Sequence, residues 1–326
     1  MGRELTYAGA ILEATSQAMS KSDQVVIMGQ LVDYSSGVFG TTTGLVNQYG
    51  VERVRDFPVA ENLMTQTALG MALNGFRPLI VHQRLDFMIY SLDAIANWLA
   101  LWRFKSNGKT NLPVVIRAIV GKGWGQGPQH SKSLHSWFAH LPGLRVAIPA
   151  TAYDAKGILL ESLLGESPTI IIEGRSLFSM KEEVPEEMYR VRFGKAAIRK
   201  AGKDITLVAL GMMVPIALRV AAELEKVGVE VEVIDLRTIS PWDETAVLNS
   251  VQKTGRLVVA DPAWKSFGVA GEIVTTIAER FRGEWKSRPR RITHPDSHTP
   301  MSMSLEKEYY PNELKLVEEL QEMMKA

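Results

Sequence analysis

The chain has 326 residues, which predicts about two domains, and its 46% hydrophobic and 22% charged residues are typical of a globular protein with a sizeable core. Its 37 basic and 36 acidic residues leave a formal charge of +1, which argues against a partner such as nucleic acid or a membrane surface. The absence of cysteine excludes disulfide scaffolds, thiolate nucleophiles and cysteine-ligated zinc.

Short apolar runs rich in valine and isoleucine alternate with helical patterns along the chain. The predicted strands cover 24–28, 77–81, 113–119, 144–148, 168–172, 205–210, 230–235, 256–260 and 290–293. The predicted helices cover 5–20, 62–74, 92–105, 152–164, 214–227, 243–252, 270–281 and 312–325. The apolar runs are nearly continuous, as in parallel strands buried on both faces. The pattern therefore predicts an α/β fold with helices on both sides of a parallel sheet.

A charged segment divides the chain. Residues 174–204 contain Pro185 and lack a long apolar period. We therefore predict one domain over residues 1–187 and a second over residues 188–326. The amino-terminal residues contain no uninterrupted apolar segment and no run approaches the roughly 20 residues of a membrane span, so we expect a cytoplasmic protein.

Several familiar motifs are absent. The glycine-rich stretch 121–127 resembles a phosphate-binding loop, but the third glycine of a dinucleotide fingerprint is missing in either register. His130, His135 and His140 recur at five-residue steps, which turn a helix by about 140°, so they do not share a face and no metal site is predicted. We expect His135 and His140 at the surface or at an interface.

Two features remain as candidates for chemistry. Glu61 stands at the start of a helical pattern, where it is either a functional carboxylate or a complement to the helix dipole. His130 follows the glycine-rich loop, where it is either a proton donor or a loop histidine bonded to the backbone. The residues alone leave both alternatives open.

A series of segments stands in a characteristic order and spacing: 35–45, 57–62, 68–78, 129–133, 138–159, 231–243, 253–263, 267–273 and 298–312. Through them the chain resembles the beta subunit of the thiamine-diphosphate-dependent 2-oxoacid dehydrogenases of the pyruvate dehydrogenase type. The resemblance implies a pyrimidine-binding, transketolase-like domain followed by a smaller α/β transketolase C-terminal domain. It also implies decarboxylation of a 2-oxo acid, pyruvate foremost, and transfer of the acyl group to a lipoyl group on an acyltransferase partner.

The resemblance assigns roles to three residues. Glu61 would hydrogen-bond the aminopyrimidine ring of thiamine diphosphate, and Phe87 would pack on that ring. His130 would assist proton transfer or acyl transfer. The protein would supply orientation and electrostatics, while the cofactor carries the carbanion chemistry.

The other half of the cofactor site is missing from this chain. Family members hold the diphosphate through magnesium clamped by a GDG motif, and this sequence contains no GDG. The resemblance therefore implies an alpha subunit that binds the diphosphate and the magnesium, with the cofactor shared at the interface. No metal is expected on this chain, and the family assembly has two alpha and two beta subunits.

The sequence departs from the family at several positions. Gln30 and Leu31 replace acidic residues, Arg84 stands where an aromatic residue is common, and Lys132 replaces a frequent glutamine. A family potassium site of main-chain carbonyls would fall near 163–165, but the usual aspartate is absent there.

Three functions remain open. The first is the catalytic beta subunit of an oxidative 2-oxoacid dehydrogenase, which segments 138–157 and 231–243 favour. The second is a non-oxidative carboligase or a split transketolase-like enzyme, which the departures at Gln30, Leu31 and Arg84 suggest. The third is a non-catalytic structural subunit, against which the retention of Glu61 and His130 argues.

Overall fold

The structure is a computed structural model and describes residues 3–325. Its strands are β1 (Arg3–Thr6), β2 (Val25–Gly29), β3 (Val54–Asp56), β4 (Arg77–His82), β5 (Val115–Val120), β6 (Arg145–Ala147), β7 (Thr169–Gly174), β8 (Lys181–Val184), β9 (Ala197–Lys200), β10 (Ile205–Ala209), β11 (Val231–Asp235), β12 (Thr238–Ser240), β13 (Leu257–Trp264) and β14 (Arg290–His294). Its helices are α1 (Tyr7–Lys21), α2 (Leu45–Tyr49), α3 (Glu61–Leu73), α4 (Leu85–Met88), α5 (Trp102–Lys105), α6 (His135–Ala139), α7 (Ala152–Leu163), α8 (Met213–Glu225), α9 (Glu244–Thr254), α10 (Val269–Arg280), α11 (Met303–Tyr309) and α12 (Glu313–Lys325).

A seven-stranded sheet dominates the first half of the chain, in the order β12-β6-β7-β5-β4-β2-β3. All neighbours from β6 to β3 are parallel, and every residue of β2 and β5 is buried. This is why those strands read as continuous apolar runs in the sequence. The edge strand β12 comes from the second half and pairs antiparallel with β6, so the two halves share one sheet.

A five-stranded sheet forms the second half, in the order β14-β13-β10-β11-β9. Successive side chains of its strands point to opposite faces. Leu207 and Val233 pack with apolar residues of α8 and α12. Val208 and Val259 on the other face belong to the same buried cluster as the first sheet. The second half is therefore fused to the core of the first.

Buried polar contacts also join the halves. His135 and Asp261 form a hydrogen bond of 2.8 Å, and both are buried. Asp154 in the first half forms ion pairs with Arg199 and with Arg237, the latter at 2.8 Å. Because a buried charge is costly when its partner is removed, these contacts hold the two halves in one arrangement.

The predicted fold class is confirmed: parallel sheets with helices on their faces. Every predicted strand is present, while the predicted helix 92–105 is divided into a π-helical segment, Ala94–Leu99, and α5. The predictions missed short strands such as β1 and β8, which have polar, partly exposed sequences. The domain boundary near residue 187 stays a prediction. Within residues 3–325, every helix is too short or too polar to cross a membrane.

Candidate active site

The predicted site residues lie at the carboxyl ends of parallel strands. Glu61 begins α3, which follows β3, and Phe87 lies in α4, which follows β4. His130 lies in the loop between β5 and α6. Since β3, β2, β4 and β5 are parallel neighbours, these connections leave the sheet at one edge. Ligands of α/β sheets bind at this edge.

Glu61 presents a carboxylate without an internal partner. The residue is half-buried, and within residues 3–325 its side chain forms no hydrogen bond and no ion pair. Its main-chain carbonyl accepts a hydrogen bond of 3.0 Å from Thr65 Oγ1, which anchors the first turn of α3. The carboxylate is therefore available to a ligand.

His130 and Phe87 lie in contact. Their ring centroids are 5.5 Å apart and the rings are nearly perpendicular, at 88°. Nδ1 of His130 is buried and has no hydrogen-bond partner among the residues that the structure describes. The ring of Phe87 is 37% exposed. The edge-on contact orients the imidazole while leaving this nitrogen unused, which disfavours a histidine merely bonded to the backbone.

Two glutamines connect the loops at this edge of the sheet. Nε2 of Gln30 donates to the carbonyl of Pro58 at 3.2 Å, and Nε2 of Gln83 donates to the carbonyl of Gln30 at 3.2 Å. A carboxylate at position 30 accepts hydrogen bonds only, so it could not make the contact to Pro58. Gln30, which replaces an acidic residue of the family, therefore holds the loop that leads to Glu61 through this hydrogen bond.

Lys132 connects the loop that carries His130, which we call the histidine loop, to α4. Its Nζ and its main-chain N–H both donate to Oδ1 of Asp86 at 3.3 Å. Burial raises the pKa of Asp86, and the Lys132 charge opposes that rise. The lysine at this position, where the family often has glutamine, thus adds an ion pair between the segments that carry His130 and Phe87.

A contact with Glu306 that was not predicted from the sequence holds the glycine-rich loop. The main-chain N–H groups of Gly123 and Gly125 donate to the Glu306 carboxylate at 2.7 and 2.8 Å. Glu306 lies in α11 and is 2% exposed. The loop therefore binds an anion through two backbone N–H groups, and that anion is a carboxylate of this chain. Only the position of Glu306 in the family-like segment 298–312 pointed to it.

The expectation of a surface or interface position for His135 needs correction. His135 is buried inside the chain between its two halves, because Asp261 pairs with its ring. No cluster of three or more potential metal-ligating side chains is found within residues 3–325.

Comparisons with known proteins agree with this arrangement. Residues 3–181 match the family model described as transketolase, pyrimidine binding domain, and residues 194–316 match transketolase, C-terminal domain. A solved split-gene transketolase, described as an inactive beta4 tetramer, has a TM-score of 0.80 at 22% identity and covers 98% of each chain. That likeness establishes the fold.

Curated relatives are more similar in sequence. The chain is 38% identical to the beta subunit of acetoin:2,6-dichlorophenolindophenol oxidoreductase from Cupriavidus necator, over 100% of this chain and 99% of the relative. It is 36% identical to the pyruvate dehydrogenase E1 beta subunit of Bacillus subtilis, over 97% of each chain. The corresponding Staphylococcus aureus subunit is 38% identical, over 98% of this chain and 99% of the relative.

The chain therefore belongs to the transketolase family, among the beta subunits of thiamine-diphosphate-dependent 2-oxoacid dehydrogenase components. The predicted resemblance and enzyme class are confirmed. The family implies thiamine diphosphate as the cofactor and an alpha-type subunit as the partner.

Proposed function

We propose that this chain decarboxylates a 2-oxo acid, pyruvate foremost, as the beta subunit of a 2-oxoacid dehydrogenase, and that the acyl group passes to a lipoyl carrier on an acyltransferase. The observation that carries the proposal is the placement of Glu61, Phe87 and His130 at one sheet edge with unused polar atoms. The similarity to pyruvate dehydrogenase E1 beta subunits supports the choice of substrate.

The residues present fit the pyrimidine half of thiamine diphosphate. Among the residues that the structure describes, the Glu61 carboxylate and the buried Nδ1 of His130 have no hydrogen-bond partner, and Phe87 offers a partly exposed ring. When bound, this cofactor supplies the carbanion that attacks the keto carbon of the substrate. A flat heteroaromatic ring suits an aromatic face beside a carboxylate.

Each residue then has a distinct task. Glu61 hydrogen-bonds a ring nitrogen of the aminopyrimidine and exchanges a proton with it. Phe87 packs against the ring and orients His130 through the edge-on contact. His130 moves a proton to or from the substrate through its free Nδ1, or assists acyl transfer.

The diphosphate half is assigned to the partner. We propose that an alpha subunit binds the diphosphate and magnesium, that the cofactor lies between the chains, and that two alpha and two beta subunits assemble. The missing GDG motif supports this division. The cytoplasmic location and the division into residues 1–187 and 188–326 also stay predictions.

A second candidate keeps the cofactor and changes the acceptor. A non-oxidative carboligase or split transketolase-like enzyme would join the acyl unit to a carbonyl compound. The departures at Gln30, Leu31 and Arg84 favour this alternative, because they alter the charge near the site.

One experiment distinguishes the two candidates. The chain is co-expressed with an alpha-type subunit, and the complex is given a panel of 2-oxo acids with an artificial electron acceptor or with aldehydes. Acceptor reduction supports the dehydrogenase, whereas carbon–carbon bond formation alone supports the carboligase. A complex that decarboxylates none of the 2-oxo acids contradicts the dehydrogenase and the carboligase, and only the transketolase-like form of the second candidate would remain.

A further inference from the structure

Two arginines share the same pair of aromatic rings at the candidate active-site edge. Arg84 follows β4 and Arg175 follows β7. The Cζ atom of Arg84 lies 5.1 Å from the ring centroid of Phe39 and 5.5 Å from that of Trp124. The Cζ atom of Arg175 lies 4.8 and 5.0 Å from the same centroids. We call Arg84 and Arg175 the arginine pair.

Within the described part of the chain, the arginine pair forms no hydrogen bond to an anionic group. Nη1 of Arg84 donates to the carbonyl of Gln83 at 2.6 Å. Nε and Nη2 donate to Oε1 of Gln126 at 3.3 and 2.8 Å, so both acceptors are neutral. Nε of Arg175 is buried without an acceptor. Among residues 3–325, neither guanidinium forms an ion pair, and the nearby Asp86 is bound to Lys132.

Holding two such cations together is costly. Burial lowers the pKa of Arg84 and of Arg175. The nearby Asp86 carboxylate opposes this shift at Arg84, whereas the charge of Arg175 adds to it. The aromatic faces attract the cations, and among the described residues Nε of Arg175 is left without an acceptor. A bound oxyanion would offset the repulsion between the two cations and accept hydrogen bonds from both guanidinium groups. Guanidinium groups bind carboxylate and phosphate in this way, through paired hydrogen bonds.

The arginine pair is accessible and lies beside the histidine loop. Trp124 is 43% exposed and Arg175 is half-buried, although Arg84 is only 5% exposed. The N–H of Gly121 donates to the carbonyl of His130 at 3.1 Å, and a Cβ added at Gly121 would lie 3.5 Å from Nε of Arg84. A ligand on the pair would therefore lie next to the segment that carries His130.

The carboxylate that leaves as carbon dioxide is a poor ligand for this pair. Binding it tightly would stabilise the substrate more than the transition state, in which that charge disperses, and would slow decarboxylation. The ligand group is thus one that survives the reaction.

We propose that Arg84 and Arg175 form a subsite for a second anionic group, a carboxylate or phosphate, carried by a small-molecule substrate of this enzyme. This inference rests on the proposed thiamine-dependent reaction and specifies its substrate class. The anionic group belongs either to the 2-oxo acid donor, as a distal carboxylate that pyruvate lacks, or to a phosphorylated acceptor that takes the place of the lipoyl group; the subsite therefore replaces pyruvate or the lipoyl group in the proposed reaction.

A binding measurement tests the subsite without turnover. Inorganic phosphate is titrated calorimetrically into the complex with the alpha-type subunit. We expect Arg175→Gln and Arg84→Gln to weaken its affinity at least about tenfold, because each removes a charge-assisted hydrogen bond. Arg145→Gln is the matched control, since Arg145 also stacks on an aromatic ring, 5.3 Å from Phe193, but begins β6 at the opposite edge. Unchanged phosphate affinity in both arginine-pair variants overturns the subsite.

A kinetic measurement identifies the source of the anion. 2-Oxopentanoate is compared with 2-oxopentanedioate as donor, and glycolaldehyde with glycolaldehyde phosphate as acceptor. We expect the charged member of one pair to have at least about tenfold higher kcat/KM, and Arg175→Gln to abolish that preference. Decarboxylation without preference in either pair overturns the subsite and leaves the proposed function standing. Phosphate binding that depends on the arginine pair, with no decarboxylation of any 2-oxo acid, supports the subsite and overturns the proposed function.

Discussion

Arg77 donates a hydrogen bond from Nη1 to the main-chain carbonyl of Gly165 at 2.5 Å. The same Nη1 lies 3.4 Å from the carbonyl of Leu163, and Nη2 pairs with Glu166 at 2.5 Å. The family resemblance places a potassium ion near Leu163 and Gly165. Here a guanidinium of the chain already supplies positive charge to those carbonyls, and a second cation beside it would be repelled. The residues present therefore do not fit a potassium site.

We expect the complex to be insensitive to potassium. Replacing potassium with tetramethylammonium should leave its Tm unchanged in thermal unfolding. Arg77→Ala should lower stability by about 1–3 kcal/mol, because the carbonyls of Leu163 and Gly165 lose their donor. Arg55→Ala, an exposed arginine on β3, is the control. A wild-type Tm that depends on potassium would contradict this interpretation.

Glu61→Gln should abolish turnover. The amide can hydrogen-bond the pyrimidine but cannot supply a proton, so we expect kcat to fall by about 10²–10⁴. Size-exclusion chromatography should show an intact complex, because the Glu61 side chain has no internal partner among the described residues. Glu52→Gln, at an exposed position, should retain activity. Near-normal kcat in Glu61→Gln would remove the proposed role.

His130→Ala should impair transfer more than cofactor binding. Loss of the imidazole removes a proton carrier, which typically costs about 10²-fold or more. We expect reductive transfer to the lipoyl carrier to fall by at least that factor, while the affinity for thiamine diphosphate changes little. His140→Ala provides the matched control, since His140 is exposed. Wild-type transfer rates in His130→Ala would argue against its assignment.

Glu306→Gln should loosen the glycine-rich loop. One carboxylate oxygen becomes an amide that cannot accept from Gly123 or Gly125, so one N–H loses its partner at a cost of about 1–3 kcal/mol. Limited proteolysis at Lys122 should accelerate, and kcat should fall because the loop leads to His130. Glu308→Gln, an exposed neighbour, should behave as wild type. Equal cleavage rates in the two variants would show that the contact does not hold the loop.

His82 should make the fold sensitive to acid. It is buried, both ring nitrogens lack partners within residues 3–325, and burial lowers its pKa to about 4 from an ordinary 6.5. Between these pH values His82 is protonated in the unfolded chain but neutral in the folded chain. The free energy of unfolding therefore falls as the pH drops from about 6.5 towards 4. Urea unfolding should show a loss of about 2 kcal/mol from this residue between pH 7 and 5.

The contribution of His82 can be isolated with a variant. His82→Leu removes the titrating group and keeps an apolar side chain in the buried position. The pH slope of its unfolding free energy should be shallower than that of the wild type. His294, whose pKa burial lowers to about 3, should retain its own share of the slope. An identical slope in wild type and His82→Leu would contradict the account.

Local patterns were sufficient to predict the parallel sheets. Strands such as β2 and β5 are buried on both faces, so their residues are apolar throughout and the pattern is visible in the chain itself. The strand β12 was missed because its three residues are defined by pairing with Arg145–Ala147 in the other half. Such pairing has no local signature.

The candidate active site likewise has features that are visible in the sequence and contacts that are visible only in the structure. The sequence determined that Glu61, Phe87 and His130 follow strands of an α/β domain, and that no GDG motif accompanies them. Only the tertiary structure decided that Glu306 occupies the glycine-rich loop and that Arg175 joins Arg84 on one pair of aromatic rings. The reason is physical: periodicity reports which face of an element is buried, whereas these contacts join segments far apart in the chain, so they exist only once the sheets have formed.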